Sequence, residues 1–164
     1  MTTSLSGMTA YRVEASRLVA VEPTQAFDRL IAAQLPEIFS RRYAAFPPVR
    51  EVVDEPDDWG TVGQDRTILL ADGGRLRETL TAVDRPHGYA YLLDDVHGPL
   101  RPFVRTVDGN WSITPEGTGA RVGWSWTIDP TAPLARLTPL VIGRMWQGYA
   151  ARALAELETI LMRS

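Results

Sequence analysis

The 164-residue sequence has no cysteine. That absence removes disulfides, thiolate metal sites and cysteine nucleophiles together, and it fits a chain kept in a reducing cytoplasm. No apolar run approaches the roughly 18 continuous residues of a membrane span, so no membrane insertion is expected. The opening MTTSLSGMTA has neither a basic region nor an apolar segment and is no secretory signal; residues 1–9 read as a flexible leader. Charge of one sign is also missing. Acids and bases are interspersed at a formal net charge of −3, which gives no broad basic surface for phosphates and excludes nucleic acid as a partner. His87 sits in a turn-like DRPHG and His97 follows two aspartates in LDDVHGP, but no standard zinc spacing surrounds either. No metal and no other cofactor is expected. The serines lack an adjacent base that would mark a nucleophile.

What is present is an ordinary globular composition, 45% apolar and 23% charged. Residues 10–164 suit one domain able to bury roughly two-thirds of its unfolded surface. YRVEASRLVAV has strand composition, and Pro23 suits the first turn of a helix through AFDRLIAA. Pro36 permits a second short helix that Pro47 and Pro48 terminate. From about Val49 the period changes from helix to strand. TVGQDRTILL and RLRETLTAV flank the turn ADGG, and DRPHG leads into YAYLLDDV. A further pair, Val104 to Thr114 and Ala120 to Ile128, flanks PEGTG. From Leu134 to Met162 the pattern is helical, with Leu140, Gly143, Gln147, Ala150, Leu154, Leu157 and Leu161 at spacings of three and four. Pro139 and Gly143 break or separate its first turns. This order defines an α+β architecture in which one long helix covers part of one sheet face. The uncovered part is either filled by large side chains or left as a cavity.

The stretch GWSWTIDP places Val122, Trp124, Trp126 and Ile128 on one side of a strand, with Gly123, Ser125 and Thr127 on the other. Read as a hairpin, the PEGTG turn sets Trp111 against Trp124 and Gly109 against Trp126. Three indoles then form one wall, and Gly109 leaves room for a ligand or for the helix. The wall is equally read as core filling beneath the helix.

The middle strands carry the charged candidates. If ADGG sets Leu70 against Leu76, Ile68 faces Glu78 and Arg66 faces Leu80, making Arg66 and Glu78 diagonal neighbours on an apolar face. If DRPHG makes a simple connection, Leu80 opposes Leu92 and Glu78 opposes Asp94. Two carboxylates beside one arginine push one pKa upward and provide a general acid. The alternatives are a structural ion pair, or a one-residue slip that sends Asp94 to solvent.

The run from Gly63 through Arg66, Asp72-Gly73, Glu78, Asp84 and Pro86 to Tyr91 resembles the polyketide cyclase/dehydrase-like branch of the START and pollen-allergen helix-grip superfamily, often called SRPBCC. VEPTQAFDRL is similar to that family's first strand-to-helix junction, and GTGARVGWSWTIDP to its last strand. The resemblance implies a seven-stranded antiparallel sheet gripping the C-terminal helix around a pocket for an apolar or amphipathic small molecule. It leaves two functional readings open. One is a protein that binds a lipid-like or aromatic molecule, with Trp111, Trp124, Trp126, Ile68, Leu80, Leu92 and Gln147 as lining residues. The other is a cyclase or dehydratase in which Glu78, Arg66 and Asp94 do acid–base work. A protein-interaction module is a third and weaker reading. The expected partner is a small hydrophobic or aromatic molecule, and the sequence leaves monomer and homodimer equally open.

Overall fold

The computed structural model describes residues 10–131 and 134–163; the expected leader over residues 1–9 lies outside them. The chain runs β1 (Tyr11–Val19), α1 (Pro23–Ala32), α2 (Leu35–Ile38), β2 (Val49–Val53), β3 (Asp65–Leu70), β4 (Arg75–Asp84), β5 (Gly88–His97), β6 (Thr106–Glu116), β7 (Gly119–Asp129), a short 3-10 turn (Leu134–Arg136) and α3 (Thr138–Leu161). The strands form one seven-stranded sheet in the order β1-β7-β6-β5-β4-β3-β2. Every neighbouring pair is antiparallel. This is the helix-grip architecture: an open sheet with a long C-terminal helix across its inner face.

Helix α3 starts with Pro139 in its first turn, where a missing N–H costs nothing, and the 3-10 turn before it is separate. Its buried stripe is Ile142, Trp146, Tyr149, Ala150, Ala153, Leu154, Leu157 and Leu161. The C-terminal half of the stripe is the expected one, and the N-terminal half is displaced. Leu140 is 64% exposed, and Gln147 is exposed with its Nε2 on the Glu14 carbonyl. Continuing a 3.6-residue period backwards from Ala150 reaches Trp146 and Ile142, and these large side chains set the helix rotation. Gln147 therefore does not line the interior.

The inner face of β7 is built from Val122, Trp124, Trp126 and Ile128, all buried. The β6–β7 hairpin pairs Trp111 with Trp124 and Gly109 with Trp126. Trp111 and Trp124 stack at 4.9 Å with 6° between planes, and Trp146 of α3 closes on Trp124 at 5.0 Å. The room above Gly109 is not empty. A Cβ there would lie 2.1 Å from Cζ of Tyr91, so the glycine is the trough in which the Tyr91 ring lies.

Candidate functional site

The charged centre forms where β3 and β4 meet. Arg66 lies directly opposite Glu78, not diagonal to it, because the ADGG turn pairs Ile68 with Leu76 and moves the register by two residues. An even shift preserves faces, so both side chains still point inward. Arg66 is 4% exposed and Glu78 5%. Arg66 Nε donates to Glu78 Oε2 over 2.5 Å, and Nη1 donates to Glu55 Oε1. The guanidinium also lies over the Trp59 ring, 4.1 Å from its centroid. Trp59, in the loop between β2 and β3, is thus half-buried against Arg66.

Two carboxylates face one cation in this nest. Burial pushes the Glu78 carboxyl above its ordinary value, Arg66 pulls it back through charge and hydrogen bond, and Glu55 adds to the rise; the net direction is up. Burial also works against the Arg66 charge, but Glu78 and Glu55 outweigh it and the guanidinium stays charged.

Asp94 is not the second carboxylate. The DRPHG turn pairs Asp84 with Gly88 and Ala82 with Ala90 as expected, but a bulge between Leu80 and Ala82 then slips the ladder by one residue. Leu80 meets Tyr91, Glu78 meets Leu93, and Asp94 and Leu92 turn to the outer face. There Asp94 takes two hydrogen bonds from Arg77, each 2.9 Å. Glu55, from the loop after β2, supplies the second carboxylate instead. His97 Nε2 lies 2.9 Å from Asp95 Oδ1, and among the described residues no three His, Asp or Glu side chains converge on a metal-sized point.

Beyond Glu78 the interior is apolar and aromatic. The space between sheet and helix is lined by Glu78, Ile68, Tyr89, Tyr91, Leu93, Trp111, Trp124, Trp126 and Tyr149. Leu35, Leu76 and Leu100 also border it and are partly exposed. Leu80 is buried in the core but does not border this space. The free volume is about 60 Å³. That admits a few waters and falls far below the roughly 300–1,000 Å³ of small-molecule sites. The reason is visible in the segment after α2. Phe39 stacks on Tyr149 at 5.5 Å and reaches Trp124; Phe46 stacks on Tyr149 at 4.6 Å and meets Trp126 edge-on. Two phenylalanines occupy the aromatic cage. The segment is held by the Tyr43–Phe46 bridge and by Tyr43, whose hydroxyl sits where a Cβ on Gly148 would be.

A larger hollow of about 400 Å³ lies on the outer face over β1, β7 and β6. Its arginines, Arg12 and Arg121, are each paired with a carboxylate, Glu14 and Glu116. It is remote in character from the Arg66–Glu78 nest.

A sheet that grips one helix around an aromatic interior, with Glu78 buried in its wall, defines the helix-grip class of fold. The chain belongs to the polyketide cyclase/dehydrase and lipid transport family, which matches residues 10–161. Among solved structures it is similar to TTHA0849 from Thermus thermophilus, at 18% identity and a TM-score of 0.67, covering 93% of this chain and 97% of that one. Ara h 8.0201 matches at 14% identity and 0.66 over 93% and 98%. A norcoclaurine synthase point mutant from Thalictrum flavum, in complex with a transition state analogue, matches at 15% and 0.66 over 93% and 96%. At these identities the likeness shows the fold. No curated protein matches the sequence.

Sequence reasoning missed Glu55, Tyr91, Phe39 and Phe46. Tyr91 shares the face of Glu78 only because of the bulge between Leu80 and Ala82, and it lies opposite Gly109.

Proposed function

We propose that this chain binds a ring-containing apolar or amphipathic molecule between the sheet and α3, admitted past the partly exposed Leu35, Leu76 and Leu100. The observation that carries the reading is an aromatic interior with a buried carboxyl set into its wall, a combination that orients a ligand through a few polar groups. Binding requires the segment from Phe39 to Pro48 to swing, since its two rings hold the ligand's place. Native mass spectrometry of the purified chain, together with a titration by indane followed through tryptophan emission, tests it. A saturable emission change is expected. A strictly linear response and no retained mass would overturn the reading.

The second reading, a cyclase- or dehydratase-like enzyme, is favoured by one feature: Glu78 holds its proton above the ordinary carboxylate range while Arg66 stands beside it. A carboxyl group that takes the α-proton as carboxylate and then returns it to the leaving hydroxyl, next to a cation that steadies the intervening enolate, is the minimum set for loss of water. The chain has no lysine, so imine formation on a side-chain amine is not available and the chemistry would be acid–base alone.

A further inference from the structure

Among the described residues the Tyr91 hydroxyl proton has no acceptor. Its ring is 4% exposed and lies across Gly109. Tyr91, Gly109 and Trp126 form one cross-strand row. From that trough the hydroxyl reaches both tryptophans of β7: Trp124 Nε1 donates to it over 2.8 Å and Trp126 Nε1 over 3.0 Å. The direction of both bonds is fixed, because an indole nitrogen carries a hydrogen and cannot accept. A phenol oxygen has two acceptor sites and one proton. Both acceptor sites are taken, and no acceptor for the proton exists among the described residues. Burial pushes this phenol well above its usual range, with the two indoles pulling partly back, so it remains neutral. Two donors behind the oxygen also polarise its O–H and strengthen it as a donor.

We propose that Tyr91 is the polar anchor of the site and that it selects ligands with a carbonyl or enolate oxygen next to an aromatic or alicyclic ring. The idea rests on the binding reading above and narrows it. The aromatic wall supplies area without orientation. The single proton of Tyr91, held by two indoles, supplies a fixed point, and the ring of the ligand takes the place of Phe39 and Phe46 against Trp126 and Tyr149. A ligand lacking an acceptor oxygen leaves that proton unmet.

The matched probes are 1-indanone and indane, which share a bicyclic frame and differ in the carbonyl. Calorimetric affinities and the proton spectrum of the wild-type chain decide. A buried, slowly exchanging hydroxyl proton with cross-peaks to the Trp124 and Trp126 indole protons should move downfield with 1-indanone and stay in place with indane. Tyr91→Phe should lower 1-indanone affinity about tenfold or more and leave indane within about threefold, because the two indoles it strands are common to both complexes. If neither probe binds, the binding reading itself fails. If indane binds and 1-indanone neither shifts the hydroxyl proton nor depends on Tyr91, the anchor is overturned while the pocket stands. Should Tyr91→Phe fail to fold, the wild-type hydroxyl signal decides alone: a downfield move with 1-indanone supports the anchor, and an unmoved signal overturns it.

Discussion

Arg66 and Glu78 are direct cross-strand partners whose side chains meet within 2.5 Å in a site closed to solvent, with Glu55 on the far side of the guanidinium. Removing the cation leaves Glu78 buried among Tyr89, Tyr91 and Leu93. Breaking such a pair costs about 3–5 kcal/mol. Arg66→Ala should lose stability of that order at pH 8 and visibly less at pH 5, where Glu78 can take a proton in place of its partner. Urea denaturation at the two pH values measures both; equal losses would mean that Glu78 is solvated through some other route.

Glu78→Gln keeps the shape and removes the titration. Because burial raises the acid in the folded state, the unfolded chain ionises first as pH climbs past the ordinary 4.5. The folded state then binds the extra proton, so wild-type stability falls with rising pH until the folded acid has also ionised. The variant lacks that decline. The stability difference between variant and wild type should therefore shift in favour of the variant from pH 5 upward and then level off, by about 1.4 kcal/mol for each tenfold weakening of the acid. Parallel curves would show an acid of ordinary strength. If a substrate is found, the same variant should lose roughly a hundredfold in turnover with little change in affinity.

Phe46→Ala vacates the place between Tyr149 and Trp126. The cavity costs about 3–5 kcal/mol if it stays empty. Indane should bind the variant several-fold more tightly than wild type and recover part of that loss, read as a rise in melting temperature on adding indane. An affinity no higher than wild type would show that the cage is core and no ligand site.

Gly148→Ala places a methyl 1.9 Å from the Tyr43 hydroxyl. Tyr43 must then leave α3 and give up the Arg152 guanidinium 5.1 Å from its ring. Alanine returns about 1 kcal/mol in helix propensity, so global stability should change little. Hydrogen exchange should quicken from Phe39 to Pro48 and nowhere else.

The parts legible in the sequence are those governed by strand parity and turn chemistry. Trp111, Trp124 and Trp126 face inward because alternation along β6 and β7 has no interruption and the PEGTG turn pairs Glu116 with Gly119. Arg66 and Glu78 face inward even though their register was displaced, since a shift of two leaves every side chain on its face. Asp94 and Leu92 were lost to a bulge between Leu80 and Ala82 that no turn residue announces. Gln147 and Leu140 fit a helical stripe by spacing alone, and only the bulk of Trp146 and Ile142 reveals how the helix is turned. Glu55 and the two phenylalanines come from irregular segments, where neither period applies.

The first strand made is held by the last. Tyr11 lies opposite Ile128, and β1 has no other neighbour in the sheet. The meander from β3 to β7 pairs strands that are adjacent in sequence, whereas β1 can pair only once β7 is available. During synthesis, therefore, β1 waits unpaired until β7 emerges, and the indoles of β7 appear before the helix that covers them. A growing chain exposes Trp124 and Trp126 at the moment β7 emerges, and α3, which follows it, completes both the covering and the grip.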